Sequence, residues 1–204
     1  MHFNGLIRLL EQTNIEEFKK DCNAIIEIAD NKKQFLSGIS LFEDSRWALF
    51  EISYKHAPSL TAYIKPPRSY YEIVDSILDK IGRNYYVVSS MLTWINTGSK
   101  ISKHTDLQRV YANTRRIHIV VERPELAYSS SYAGSMKHDF KFAVGATYEL
   151  NNRVYHSVDN PDQQGRFVLL IIDFAEQGVT FKEEDNLIKD MNLLDSSQLA
   201  VYAS

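Results

Sequence analysis

Residues 146–174 read Ala-Thr-Tyr-Glu-Leu-Asn-Asn-Arg-Val-Tyr-His-Ser-Val-Asp-Asn-Pro-Asp-Gln-Gln-Gly-Arg-Phe-Val-Leu-Leu-Ile-Ile-Asp-Phe, and they decide the fold class. Three runs rich in β-branched and aromatic residues, 146–150, 153–158 and 167–174, alternate with polar turn-formers. Asn151-Asn152 suits a two-residue hairpin turn between the first two, because Asn tolerates positive φ. Upstream, 85–95 and 115–121 carry the same strand signature. Short strands without alternating helices argue for an antiparallel barrel or sandwich. The strand half, roughly 85–175, is therefore expected to hold the chemistry.

Helical periods flank that half. Residues 15–28 place Phe18, Cys22, Ile25, Ile26 and Ile28 on one stripe. Residues 69–81 repeat Ile73, Ile77 and Ile81, with Ser69 and Glu72 spaced as a capping box and Gly82 as the stop. Thr180 and Glu183 would open a terminal helix over 180–194. The expected organisation is one domain over 1–204. It comprises a mixed, helix-rich part (1–84), a strand core with the site (85–175) and a C-terminal helical extension (176–204).

The bulk properties narrow the partners. A 204-residue chain, 44% hydrophobic and 24% charged, can bury a full core. Its net charge of -3 gives no field for phosphate backbones, so nucleic acid is not an expected partner. Lys100 and Lys103 form too small a basic cluster to alter that. The one cysteine, Cys22, rules out an internal disulfide and a Cys-based zinc site. The N-terminus has no signal-peptide pattern, and the longest apolar run, 167–172, is of strand length. These features give the expectation of a cytoplasmic protein without a membrane span.

His104-Thr105-Asp106 sets an imidazole and a carboxylate two residues apart, on the same side of an extended segment. His156 lies between Val154 and Val158 on one face of its run, which directs it inward. Two imidazoles and one carboxylate make the facial triad of non-haem iron(II), with open coordination positions. Arg166 follows His156 by ten residues, and a hairpin would bring it alongside. Arg116 and His118 share one face of their strand, with Ile117, Ile119 and Val121 on the other. Buried cations of this kind call for an anion. 2-Oxoglutarate is such an anion: its carboxylate and keto oxygen chelate iron, and its distal carboxylate suits a bidentate arginine.

The sequence resembles the aspartyl/asparaginyl β-hydroxylase-like 2-oxoglutarate oxygenases, which include free amino-acid hydroxylases. The resemblance covers about 91–174. It rests on Thr93-Trp94-Ile95-Asn96-Thr97-Gly98-Ser99 leading into His104-Thr105-Asp106, on Arg116-Ile117-His118, and on Leu150-Asn151-Asn152 through His156-Ser157-Val158-Asp159-Asn160 to Arg166. It implies a mainly β fold with flanking helices around a double-stranded β-helix (jelly-roll, cupin-like) core. It also implies His104, Asp106 and His156 as ligands of Fe(II), and Arg166 as partner of a 2-oxoglutarate carboxylate. Arg116, His118 and Thr93 would be further co-substrate contacts, and O2 the oxidant. The retained Asp106 argues against a halogenase.

The implied function is hydroxylation of a C–H bond of a small molecule or short peptide, with release of succinate and CO2. Two other readings fit the residues. One is a metal-dependent hydrolase using the same His/Asp/His set and an activated water. The other is a non-catalytic β-barrel module binding a small ligand. Tyr128 to Gly134 reads as a polar strand, Arg153, His138 and His56 as surface residues, and Trp47 and Trp94 as core.

Overall fold

The computed structural model describes residues 5–31, 45–49, 66–106 and 114–179, with backbone alone for 28–31 and 45–49. The helix expected over 180–194, His56 and the side chain of Trp47 lie outside the described residues. In chain order the elements are β1 (Ile7–Gln12), α1 (Glu16–Asn31), β2 (Ser45–Leu49), α2 (Arg68–Ile81), β3 (Tyr85–Ile95) and β4 (Ser99–His104). There follow β5 (Arg115–Glu122), β6 (Tyr128–Ala133), β7 (Met136–Phe140), β8 (Ala146–Leu150), β9 (His156–Asn160) and β10 (Phe167–Glu176).

The strands form two antiparallel sheets. The major sheet runs β1-β8-β5-β10-β3-β2 and the minor one β4-β9-β6-β7. This is the expected double-stranded β-helix. The strict alternation of side chains on β10 shows how the layers stack. Val168, Leu170, Ile172 and Phe174 pack with Phe18, Ile26, Ile73 and Ile77 of the two helices. Phe167, Leu169 and Ile171 pack between the sheets with Tyr148, Val158 and Ala127. Both faces of this central strand are thus covered, which explains its continuous apolar run. Trp94 is fully buried in the helix-facing layer, as expected of a core residue.

The helices follow their apolar stripes, but the cap of α2 is not the expected box. Its N-cap is Pro67, with no side-chain cap bond. Ser69 Oγ instead donates to Asp21 Oδ2 of α1 at 2.6 Å, and Glu72 accepts from Arg68 Nε at 3.2 Å. Ser69 lies inside the first turn of α2, beyond the cap position, so its hydroxyl is free to tie one helix to the other. Gly82 does end α2: its φ of 116° is open to glycine, and its N–H returns to Leu78 O at 2.9 Å.

The expected hairpin at Asn151-Asn152 is corrected. β8 and β9 belong to different sheets, and residues 151–155 carry the chain from one sheet to the other. No non-glycine residue among those described has positive φ. Asn151 works through its hydrogen bonds: its side-chain oxygen accepts from Arg153 N, and its carbonyl accepts from Val154 N. The strand expected over 153–158 accordingly begins only at His156. The hairpin expected to bring Arg166 beside His156 is absent for the same reason, because β9 and β10 lie in opposite sheets.

Candidate metal centre

Two strands of the minor sheet deliver the histidines. His104 ends β4, His156 begins β9, and they are cross-strand partners. Between Ile101 and His104 the register slips by one: Ile101 pairs with Val158, yet His104, not Lys103, faces His156. A one-residue bulge in β4 therefore re-aims His104 to the inner face. Bulges commonly do this next to functional sites. The two rings lie 4.3 Å apart between centroids.

Each ring is oriented by the backbone two residues before it. His104 Nδ1 donates to Ser102 O at 2.7 Å, and His156 Nδ1 donates to Val154 O at 3.0 Å. A carbonyl can only accept, so both Nδ1 atoms carry the proton and both Nε2 lone pairs are available to a metal. Asp106 follows β4, its backbone N–H donating to Asn152 O at 3.1 Å. Its Oδ2 lies 3.2 Å from His156 Nε2 and its Oδ1 3.8 Å from His104 Nε2. One ligand atom from each of the three residues lies within 4.8 Å of the other two.

The protonation states suit a divalent cation. Burial, and then the neighbouring His156, push His104 down to about 4, against the opposing pull of Asp106. Burial alone would raise the Asp106 carboxyl, but the Arg116 guanidinium and His156 hold it well below the usual carboxylate range. A neutral imidazole and an ionised carboxylate are the forms that ligate.

Arg116 and His118 both face inward from β5 and are buried. The anions that meet Arg116 come from the chain itself. Its Nε and Nη2 donate to Asp173 Oδ1 and Oδ2 at 2.8 and 2.9 Å, and its Nη1 donates to Asp106 Oδ2. Asp173 is fully buried on β10, directly opposite Arg116 in the β5–β10 ladder. Burial raises its carboxyl, with Arg116 opposing. His118 Nδ1 meets Tyr148 OH at 3.2 Å, and Tyr148 OH also meets Ser129 Oγ at 3.2 Å. Burial, then Arg116 and His156, hold His118 well below its ordinary pKa, so the ring is neutral.

Two polar atoms near the histidines have no hydrogen-bond partner among the described residues: His118 Nε2 and Ser131 Oγ. Ser131 is the cross-strand partner of His156 on β6. Buried donors without partners are costly, and a bound polyoxygen ligand would satisfy them. Thr93 is buried on β3, opposite Leu169 of β10. Arg166 stands immediately before β10 and is half-buried. The structure thus gathers His104, Asp106, His156, Arg116 and His118 in one neighbourhood, while Thr93 and Arg166 sit further along the inner strands of the major sheet.

Several residues that shape the site have no role assigned to them by the sequence motifs. Asp173 is the one charge within the apolar run 167–175, and that anomaly is its sequence signal. Asn160 is fully buried, and its Nδ2 reaches Ile95 O, Asn96 O and Gly165 O at 3.0, 3.1 and 3.3 Å. It thereby ties the far end of β9 to the major sheet. Tyr148 and Ser129 give no sequence signal beyond strand composition. His138 and Arg153 are exposed, as read from the sequence.

A family model described as aspartyl/asparaginyl beta-hydroxylase matches residues 12–176. The chain belongs to this family. As an aspartyl/asparaginyl β-hydroxylase family member it is a 2-oxoglutarate-dependent hydroxylase using Fe(II) and O2, and the His/Asp/His donor set fits that metal. No curated protein sequence matches it. A Pseudomonas putida prolyl-4-hydroxylase superposes at TM-score 0.57 with 12% identity, over 86% of this chain and 95% of that one. HygX from Streptomyces hygroscopicus, with nickel, 2-oxoglutarate and hygromycin B bound, gives 0.56 with 10% identity over 85% and 84%. The viral collagen prolyl hydroxylase of Paramecium Bursaria Chlorella virus-1 gives 0.51 with 10% identity over 84% and 96%. At these identities the likeness shows the fold. No helix among the described residues is long and apolar enough to cross a membrane.

Proposed function

We propose that this hydroxylase acts on a C–H bond of a small substrate: an amino acid, an amino-acid-like metabolite, or an aspartyl/asparaginyl-type residue of a short peptide. His104, Asp106 and His156 are the iron ligands in this reading. Arg166 and Thr93 receive one carboxylate of 2-oxoglutarate, while His118 and Arg116 line the other end of the same wall. The observation that carries the reading is the convergence of three ligand atoms within 4.8 Å, with both Nδ1 atoms turned away onto carbonyls.

Bound there, Fe(II) supplies the oxidising chemistry that couples O2 and 2-oxoglutarate to hydroxylation, with succinate and CO2 released. The chain supplies the rest. The bulge in β4 and the pairing with β9 hold the imidazoles face to face. Arg116 steadies the carboxylate between them. Tyr148 can donate to His118 Nδ1 while accepting from Ser129, which leaves a proton on His118 Nε2 for a carboxylate oxygen. The buried walls of the two sheets exclude bulk water, which strengthens each of these contacts.

Two features favour an oxygenase over a hydrolase on the same ligands. A hydrolytic zinc site has no use for the unpartnered donors at His118 and Ser131, nor for a half-buried Arg166. The net charge of -3 supports a substrate other than nucleic acid. Cys22 is buried, in keeping with a reducing compartment, and we read the chain as one cytoplasmic domain.

The test is a substrate screen with Fe(II) and 2-oxoglutarate, reading succinate by NMR over free amino acids and Asp- or Asn-containing peptides. Iron-dependent succinate, stimulated by one substrate that gains an oxygen atom, is expected. Hydrolysis with zinc, or no succinate with any substrate although metal binds, overturns the proposal.

A further inference from the structure

Asp106 is the one ligand outside a strand, just past the end of β4, so no ladder fixes its side chain. What holds it is a chain of two residues reaching back into the major sheet. Asp173 and Arg116 are paired in register across β10 and β5, both on the inner face. Asp173 is fully buried in a strand otherwise made of Phe, Val, Leu, Ile and Ala up to its end. A buried carboxylate in such a strand is expensive, and it persists where its partner satisfies both oxygens. Arg116 does so through Nε and Nη2 at 2.8 and 2.9 Å.

The guanidinium is planar, and two parallel bonds fix both its position and its plane. Once Nε and Nη2 are committed to Asp173, the direction of Nη1 is set by the β5–β10 ladder rather than by side-chain rotamers. That Nη1 donates to Asp106 Oδ2. Oδ1 is the oxygen turned toward His104 Nε2, at 3.8 Å.

We propose that Asp173 is a positioning residue for the metal centre: through Arg116 it fixes the orientation of the ligand carboxylate of Asp106. This rests on the reading of His104, Asp106 and His156 as metal ligands. It assigns to Arg116 a task within the metal site in addition to any contact with the co-substrate. Outer partners of metal ligands typically contribute about 10- to 100-fold in metal affinity. A carboxylate released from Arg116 can rotate and must be re-ordered on binding, so the loss falls on the metal.

The experiment titrates Co(II) into the metal-free full-length chain and reads both its dissociation constant and its visible ligand-field spectrum. The proteins compared are wild type, Asp173→Asn and the double variant Arg116→Met/Asp173→Leu. Thermal unfolding monitors the fold in parallel. The double variant removes both charges at similar volume, a replacement that buried ion pairs often tolerate without loss of stability. It therefore gives a folded comparison if Asp173→Asn does not. The expected result is Co(II) binding weakened about tenfold or more in each folded variant, with a changed spectrum. A residue that merely staples β5 to β10 would shift the melting temperature and leave both Co(II) readouts alone. Wild-type affinity and spectrum in a folded variant overturn the inference. Failure of the wild-type chain itself to bind Co(II) overturns instead the metal reading beneath it, and the inference with it.

Discussion

His104 and His156 are cross-strand partners whose rings stand 4.3 Å apart, although the unslipped register would have set Lys103 against His156. The pair belongs to one ladder, so each ring is held without help from the other. Replacing either with Ala should therefore leave the fold intact while removing a ligand. For His156→Ala we expect a loss of Fe(II) affinity beyond the ~10- to 100-fold typical of an outer partner, and no succinate formation. Metal titration and far-UV circular dichroism of the same sample check both halves. Unchanged 2-oxoglutarate turnover would remove His156 from the ligand set.

Tyr148→Phe isolates the His118 arm. The variant keeps the ring between the sheets and deletes the hydroxyl that meets His118 Nδ1 and Ser129 Oγ. Free to change tautomer, His118 no longer presents a fixed donor at Nε2. We expect 2-oxoglutarate binding to weaken by about 1 kcal/mol, roughly fivefold, with metal affinity unchanged. Calorimetric titration of the Mn(II)-loaded protein measures it.

The pH dependence follows from His104. Its folded pKa of about 4 lies below the ordinary value of 6.5. Between those values the unfolded chain binds a proton that the folded chain does not, so stability falls as pH drops from about 6.5 to about 4 and levels off below. At ~1.4 kcal/mol per pKa unit, this one residue accounts for up to about 3 kcal/mol. His118, also lowered, acts in the same direction. Urea unfolding of the metal-free protein at pH 7, 5.5 and 4.5 should show the decline, and His104→Asn should make it shallower, leaving the part that His118 contributes. The ring of His104 should likewise stay neutral, and able to ligate, well below the pH at which free histidine protonates.

Gly145 is the tightest glycine among the described residues. It has φ 85°, its carbonyl accepts from Thr13 N at 2.8 Å, and an added Cβ would meet the Gln12 side chain and lie 2.7 Å from Thr13 O. Backbone cannot move aside as a side-chain tip can. Gly145→Ala should cost about 1–3 kcal/mol and loosen β1 from β8, visible as faster amide exchange along Ile7–Gln12.

Much of this molecule could be read from its residues, because the legible parts depend on local periodicity. The alternation in Arg116-Ile117-His118-Ile119 sets the two polar side chains and the aliphatics on opposite faces, and the structure has them so, with His118 neutral rather than cationic. The four-residue repeat of Ile73 and Ile77 located the buried face of α2. What could not be read is long-range. Asn151-Asn152 has the composition of a hairpin, but whether two strands pair or part is decided by the sheets they join. The β4 bulge leaves no mark in Ile101-Ser102-Lys103-His104, since it exists only relative to β9. Ser69 matched a capping pattern and was claimed by Asp21, 48 positions earlier in the chain. Arg116 was rightly expected to need an anion, yet Asp173, 57 positions away, could be named only from the ladder that joins β5 to β10.

The connection at 151–155 does more than change sheets. Asp106 docks its backbone on Asn152, and His156 takes its ring orientation from Val154, so two of the proposed ligands lean on one five-residue splint. Such an arrangement trades adaptability for precision. In the proposed site, a metal that prefers another bite angle would have to move both Asp106 and His156 against this shared support. Discrimination between ions of similar charge would then reside in this short bridge as much as in the ligands themselves.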